Sequence, residues 1–234
     1  MKDTKYKIYI LIEILLFALL LVFQIIYIAN GNLLIDKSKN LIVPILILHV
    51  IITLGSFVYT LVLYLTNKIK MKENLFVVYF LFAFLSDIFF SFVKLNFLGH
   101  LGFVSAYLTF MFIRKAKLYE YIGIGLFGVT ANIVLLLLKK NSFIVAIDCF
   151  LAPILILNMI MMIINYIKKK NKGNLLLMYA LILIFISDLS IALSIAFKTT
   201  ILINIMCLIT WPTYVIGCIL INSYYKYKKI LDFD

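Results

Sequence analysis

Residues 75–93 read LFVVYFLFAFLSDIFFSFV, an apolar and aromatic run in which Asp87 is the one charged side chain. A run of this length is about what an α-helix needs to cross a bilayer. A second apolar run, at 174–197, carries a Ser-Asp dipeptide as well, with its acid at Asp188. An acid in the middle of a membrane helix costs roughly 2.5–3.5 kcal/mol on insertion scales, so it is interpreted as functional. We therefore predict that Asp87 and Asp188 serve one shared site.

The composition excludes a soluble globular protein. Hydrophobic residues make up 65% of the 234 residues, and the mean hydropathy is +1.15. Barrel strands would alternate in polarity, whereas these runs are long and continuously apolar. We predict an all-α integral membrane protein with a single polytopic domain over residues 1–234. Its eight transmembrane helices are predicted near 8–29, 41–66, 74–93, 97–113, 120–138, 142–167, 174–197 and 200–225.

The formal charge of +12 indicates orientation in a membrane rather than nucleic-acid binding. Of the 22 basic residues, 16 fall in the amino terminus, the loops after spans 2, 4 and 6, and the carboxyl tail. Because basic residues concentrate on the cytoplasmic side, this alternation places both termini in the cytoplasm. Basic loops also attract anionic membrane lipids. The abundance of Ile, Lys, Asn, Phe and Tyr is typical of an AT-rich genome, so we predict a multi-pass protein of a bacterial cytoplasmic membrane.

Metal and cofactor chemistry has no support in the sequence. Cys149, Cys207 and Cys218 are isolated residues inside predicted spans, and His49 and His100 are isolated as well. Neither HExxH nor GxSxG nor a glycine-rich phosphate loop occurs. We therefore expect no disulfide, no metal and no organic cofactor, and we place any activity within the helix bundle.

The two Ser-Asp acids are predicted at matching depth. Asp87 lies thirteen residues into a span that runs outward from the cytoplasm, which is about 20 Å at 1.5 Å per residue. Asp188 lies at a similar depth in a span of the same direction, so both carboxyls fall in the non-cytoplasmic half of the bilayer. This arrangement is compatible with a four-plus-four parallel repeat.

Polar and aromatic residues recur at helical spacing in several spans. His49, Thr53, Ser56 and Thr60 fall at i, i+4, i+7 and i+11 in span 2, which puts them on one stripe. Small and hydroxylated residues are also common at contacts between membrane helices, so helix packing is an alternative explanation for every such stripe. The other stripes are His100, Phe103, Tyr107 and Phe110 in span 4, Gly125, Gly128 and Asn132 in span 5, and Thr210, Thr213, Tyr214 and Gly217 in span 8.

Two further acids lie within predicted spans. Glu13 lies near the cytoplasmic end of span 1, where we expect its side chain to snorkel to the interface. Asp148 lies near the outer end of span 6, at a depth close to that of Asp87 and Asp188. Its position is also compatible with a place at the interface.

The order and spacing of these motifs resemble the lysoplasmalogenase family, the YhhN-like eight-helix membrane proteins. The resemblance covers roughly residues 75 to 221. The sequence departs from the family pattern at Ser86, where the family has Gly, at Tyr107, where it has His, and at Gly217-Cys218, where it has Ala-Gln. The counterparts of the family motifs are Ser86-Asp87-Ile88-Phe89-Phe90, Gly99 with Phe103, Ala106, Tyr107 and Phe110, Pro153-Ile154, Ser187-Asp188-Leu189-Ser190-Ile191-Ala192, and Thr213-Tyr214 with Leu220-Ile221.

The resemblance implies hydrolysis of the vinyl ether bond of a lysoplasmalogen, lysoplasmenyl-ethanolamine or -choline, to a fatty aldehyde and a glycerophospho-headgroup. Asp87 and Asp188 match the acids that the family uses as catalytic residues, and a lysophospholipid is the implied partner. An enol ether needs a proton on its alkene carbon and then water on its ether-bearing carbon, so one carboxyl must be protonated and the other ionised. The residues we assign to substrate binding are Tyr107, His100, Thr213, Tyr214 and Ser187.

Two other functions fit a membrane protein with buried acids. A proton-coupled transporter of a lipid or small amphiphile also contains such acids, polar stripes and repeats. However, the three prolines, Pro44, Pro153 and Pro212, do not lie beside the Ser-Asp sites as breaks in transporter helices often do. A non-catalytic membrane sensor would tolerate Asn at both aspartates.

Overall fold

The computed structural model describes residues 2–31, 42–67, 75–93, 95–140, 142–196 and 199–228. These residues form eight α-helices and one short π-helical segment, and no strand occurs among them. The π-helical segment, Phe89–Val93, directly continues the third helix. The α-helices are α1 (Lys2–Ala29), α2 (Val43–Asn67), α3 (Leu75–Ile88), α4 (Asn96–Ile113), α5 (Leu118–Leu137), α6 (Phe143–Lys168), α7 (Lys172–Ala196) and α8 (Thr200–Lys228).

Eight helical stretches in the described ranges are long and apolar enough to cross a membrane, and their ends agree with the predicted spans to within a few residues. The prediction of an all-α, multi-pass membrane protein is confirmed at this level. Some predicted features lie outside the described residues. These are the span ends at 41, 74 and 197, the lysine-rich loop at 68–73 and the tail beyond 228. The cytoplasmic termini, the repeat and the single polytopic domain stay predictions.

The helices turn apolar side chains outward and polar side chains inward, as α1 illustrates. Lipid tails are as apolar as leucine, so an exposed leucine costs little in a membrane, whereas a polar group there lacks a hydrogen-bond partner. Ile8, Leu11 and Leu15 are among the exposed residues of α1. Its buried residues are Tyr9, Glu13, Leu20, Gln24 and Tyr27.

The chain divides into two compact units, Met1–Tyr59 with Met162–Asp234, and Thr60–Met161. In the first unit α7 packs along α8, and an apolar cluster that includes Leu20, Ile52 and Val215 joins α1, α2 and α8. In the second unit α3 packs along α4. Each Ser-Asp dipeptide therefore lies on a helix that packs against the next helix of the chain.

The stripe of small and polar residues on α5 packs against α6. A Cβ atom added at Gly128 would collide with the ring of Phe150, whereas one added at Gly125 would meet nothing within 4 Å. Asn132 donates a hydrogen bond from Nδ2 to the carbonyl oxygen of Ala146 at 3.1 Å. These contacts support a role in helix packing for Gly128 and Asn132.

We expect Gly128→Ala to lower the thermal unfolding midpoint of the detergent-solubilised protein, measured by circular dichroism. The new methyl group would force the Phe150 ring to move, at a cost of about 1–3 kcal/mol. Gly125→Ala is the matched control, because it makes the same change on the same helix in open space and adds helix propensity. Equal midpoints for the two variants would contradict the close packing of α5 on α6.

Candidate functional site

Asp87 lies at the end of the α-helical part of α3 and is 2% exposed. The π-helical segment Phe89–Val93 begins two residues later. In a π-helix each hydrogen bond spans five residues instead of four, and such turns are found frequently at functional sites. The buried acid therefore lies beside a local change in backbone geometry for which the sequence analysis had no signal.

Two glycines on α4 allow a close approach to α3 at the first Ser-Asp dipeptide. A Cβ atom added at Gly102 would collide with Oγ of Ser86, and one added at Gly99 would lie 2.5 Å from the ring of Phe90. The Ser86 hydroxyl donates a hydrogen bond to the carbonyl oxygen of Phe82 at 2.7 Å, within its own helix. The dipeptide is thus fixed in a contact that leaves no room for larger side chains on α4.

Aromatic rings from the π-helical segment and α4 form a continuous series. The centroid of the Phe90 ring lies 5.0 Å from that of His100 and 5.9 Å from that of Phe103. The Phe103 ring stacks in turn at 6.1 Å from the ring of Tyr107, which is buried. The structure thus connects two of the predicted substrate-binding residues, His100 and Tyr107, through two phenylalanine rings.

His100 also contacts an acid on α6. Its Nδ1 atom lies 2.6 Å from Oδ1 of Asp148, and the two side chains are 22% and 42% exposed. Asp148 therefore forms an ion pair with His100 when the imidazole is protonated. Both residues are candidates from the sequence, but nothing in the sequence indicates that they form a pair.

The single arginine of the chain anchors a buried network that the sequence analysis missed. Arg114 Nη2 lies 2.6 Å from Oε2 of Glu120, and both side chains are 4% exposed. Arg114 Nε donates to Oδ1 of Asn158 on α6 at 2.7 Å, and Asn158 Nδ2 donates to the carbonyl oxygen of Tyr107 at 3.0 Å. The network therefore joins α4, α5 and α6 and fixes the backbone at Tyr107. Its one signal in the sequence is a lone Arg among many Lys, since only Arg offers a planar fork of donors.

The predicted site residues of the first unit lie on α7 and α8. Ser187 is buried and Asp188 is half-buried. The hydroxyl of Thr213 donates to the carbonyl oxygen of Ile209 at 2.8 Å, within its own helix. Tyr214 is buried. Because Asp188 belongs to the first unit and Asp87 to the second, each is described within its own unit, and the shared site stays a prediction.

The polar stripe of α2 is buried along its whole length, which confirms that its members share one face. His49 places its ring edge-on to Trp211 at 3.7 Å and lies 5.6 Å from the ring of Tyr214, both on α8. Ser56 Oγ forms a hydrogen bond with the Tyr9 hydroxyl at 3.0 Å. In the first unit the stripe therefore joins α2 to α1 and α8 through polar and aromatic contacts.

The expectation that Glu13 snorkels to the interface is wrong. Glu13 is 1% exposed, and within the described residues neither of its carboxylate oxygens forms a hydrogen bond. Its Oε1 atom lies 2.6 Å from the position that a Cβ atom on Gly55 would occupy. The sequence could not indicate this burial, because the space for the carboxyl group depends on a glycine on another helix.

The described residues form eight apolar helices with buried acids among them, and these define the class of the protein, an all-helical, multi-pass membrane protein with ionisable groups buried within its helices. Comparison of the chain with protein-family models, with curated proteins and with solved structures gives no match. The resemblance to the lysoplasmalogenase family therefore stays a hypothesis that rests on the motifs.

We expect Glu120→Gln to destabilise the protein by about 3–5 kcal/mol, because it leaves the buried Arg114 guanidinium without its counter-charge. The measurement is the thermal unfolding midpoint in detergent. The double variant Arg114→Leu/Glu120→Leu is the control, since it removes both charges and should recover part of the loss. A double variant that is as unstable as Glu120→Gln, or less stable, would contradict the interpretation that the unpaired charge causes the effect.

Proposed function

We propose that the protein is a membrane-embedded hydrolase that cleaves the vinyl ether bond of lysoplasmalogens to a fatty aldehyde and a glycerophospho-headgroup. The observation that carries the proposal is the burial of Asp87, a carboxyl group that is 2% exposed within a membrane span, two residues before a π-helical segment. An acid in such a position costs free energy, and proton transfer is a function that requires it.

Two carboxyl groups divide the reaction between them. The protonated group gives its proton to the alkene carbon that does not carry oxygen, which leaves an oxocarbenium ion at the ether-bearing carbon. The ionised group accepts a proton from the water that attacks this carbon. The resulting hemiacetal loses the glycerol oxygen as an alcohol and becomes the aldehyde. We assign these roles to Asp87 and Asp188.

The surroundings of Asp87 favour an amphiphile with a hydrocarbon chain. Phe90 and Phe103 form an apolar ring stack beside the dipeptide, and His100 and Tyr107 provide polar atoms along the same series. The rings suit the chain of the lysolipid, and the polar atoms suit its ether oxygen or headgroup. In this proposal Ser187, Thr213 and Tyr214 contact the substrate from α7 and α8.

We also propose that both termini lie in the cytoplasm of a bacterial cell, with two parallel four-helix halves. The distribution of the basic residues supports this orientation, because 16 of the 22 fall on the side that holds the termini. Substrate then enters sideways from the lipid, where a single-chain amphiphile already resides.

The second candidate is a proton-coupled transporter of a lipid or small amphiphile. The observation that favours it is the buried polar stripe of α2, formed by His49, Thr53, Ser56 and Thr60, because polar side chains inside transporter bundles form ion and substrate pathways. A transporter would move the lysolipid between leaflets without releasing aldehyde.

We expect the purified protein in liposomes to release aldehyde from a plasmenyl lysolipid. Asp87→Asn and Asp188→Asn should each lower the rate by about 10²–10⁴-fold, the contribution typical of acid–base catalysis. Asp3→Asn is the matched control, since it makes the same chemical change before the first span. The saturated alkyl ether analogue is the substrate control, because it has no alkene carbon to protonate.

Reaction in deuterium oxide tests the proposed step directly. Protonation of the alkene carbon places deuterium on the carbon next to the aldehyde group, which mass spectrometry of the product detects. Wild-type protein that releases no aldehyde but moves the lysolipid across the bilayer would replace the hydrolase with the transporter. Full activity in both Asn variants would refute the assigned roles.

A further inference from the structure

We propose that Glu13 is a proton-binding site, a carboxyl group inside the first unit that takes up and releases a proton independently of the vinyl ether chemistry. The site consists of Glu13 on α1 and the space left on α2 by the missing side chain of Gly55, which we call the Gly55 niche. This inference goes beyond the proposed hydrolase, whose steps use other acids.

The burial of Glu13 requires a positive partner or a proton. The residue is 1% exposed, and within the described ranges neither carboxylate oxygen has a hydrogen-bond partner. An ionised carboxylate removed from water without such partners is strongly unfavourable, and a bound proton removes the charge. Ion pairs of the described residues join His100 to Asp148 and Arg114 to Glu120, and Glu13 takes part in neither of them.

The Gly55 niche shows that the carboxyl group has a defined place in the packing. A Cβ atom at Gly55 would lie 2.6 Å from Glu13 Oε1 and 3.6 Å from Glu13 Cδ. Any side chain larger than hydrogen at that position would therefore displace the carboxyl group. The acid occupies the contact between α1 and α2 rather than reaching past it.

A proton fits this site better than a metal ion. Cations such as Ca²⁺ and Mg²⁺ take six or more oxygen ligands, whereas no polar group of the described residues forms a hydrogen bond with either oxygen of Glu13. The described part of the chain also contains no group of three His, Cys, Asp or Glu side chains that could hold a metal. The contacts of the Glu13 carboxyl group therefore fit a proton and not a multivalent cation.

Among the described side chains, the other buried or half-buried titratable groups on the helices around the site include no lysine, no arginine and no second acid. They include Tyr9 on α1, Tyr59 on α2, whose ring stacks on Tyr9 at 4.0 Å, and Cys218 and Tyr224 on α8. Lys7 on α1 is exposed. His49, two turns before Gly55 on α2, packs against Trp211 and is the one group among them that could gain a positive charge.

Hydroxyl groups lie on α1 between its amino-terminal end and Glu13, in two hydrogen-bonded groups. The Tyr6 hydroxyl lies 2.6 Å from Ser223 Oγ. One turn further, Asn222 donates from Nδ2 to the Tyr9 hydroxyl at 2.7 Å, which leaves the Tyr9 proton for Ser56 at 3.0 Å. Hydroxyl groups both donate and accept protons, and the Tyr9 group lies within one helical turn of Glu13.

Dicyclohexylcarbodiimide provides the test, because it reacts with protonated carboxyl groups in apolar surroundings. The carboxyl oxygen adds to the central carbon of the reagent while the carboxyl proton moves to a nitrogen atom. Full-length protein in liposomes is treated over a range from acidic to alkaline pH, and the adducts are located by mass spectrometry. We expect an adduct on Glu13 that is lost as the pH rises. Glu120, whose carboxylate is paired with Arg114, is the internal control and should stay unmodified.

Two variants test the site itself. Glu13→Gln should remove the adduct from the α1 peptide while keeping the wild-type thermal midpoint. Gly55→Ala should lower the yield of the Glu13 adduct several-fold, because the methyl group displaces the carboxyl group from the niche. Gly125→Ala, in open space, is the matched control and should label as the wild type does.

Three outcomes would overturn the proposal. If the reagent modifies Glu13 at no pH, then Glu13 does not hold an exchangeable proton. If the yield of the Glu13 adduct is the same at every pH, then Glu13 is a permanently protonated residue with a packing role. Protection of Glu13 by sodium or potassium ions at constant pH would make it an alkali-cation site. None of these results depends on aldehyde release, so the hydrolase and the proton site can fail separately.

Discussion

The hydrocarbon interior of a bilayer offers no hydrogen-bond partner, and this constraint determines how every helix of the protein distributes its side chains. Backbone groups are satisfied within the helices, and polar side chains turn inward, where Ser, Thr and Asn bond to carbonyl oxygens or to a tyrosine hydroxyl. The constraint also makes the exceptions informative. Asp87 and Glu13 are both buried acids, and each requires a reason that packing alone does not supply.

The second unit combines tight packing with a local break in helix geometry. Glycines on α4 bring that helix against Ser86 and Phe90, and the π-helical segment begins two residues after Asp87. The Arg114 network joins α4, α5 and α6 through charged and amide groups and includes a hydrogen bond to the carbonyl oxygen of Tyr107. The proposed proton transfer at Asp87 requires fixed surroundings of this kind, because a catalytic side chain must be held in position by its neighbours.

The sequence predicts the helices well and the site only in part, for a physical reason. Span length and loop charge are local properties, so the eight apolar helices could be located to within a few residues. Burial of the α2 stripe also follows from periodicity. The niche for Glu13, the pairing of His100 with Asp148 and the Arg114 network depend on residues far away in the chain. The π-helical segment has no periodic signal, because its five residues are as apolar as those of the helix before it.

The contacts of α1 have a consequence for the order in which the protein is assembled. Tyr6 and Tyr9 bond to Ser223 and Asn222, residues that follow them by 217 and 213 positions. Because synthesis runs from the amino terminus, α1 enters the membrane long before α8 exists, and its inward face stays without those partners until the last helix is inserted. A chain that stops before α8 would therefore leave the hydroxyl groups of Tyr6 and Tyr9 without these partners in the membrane.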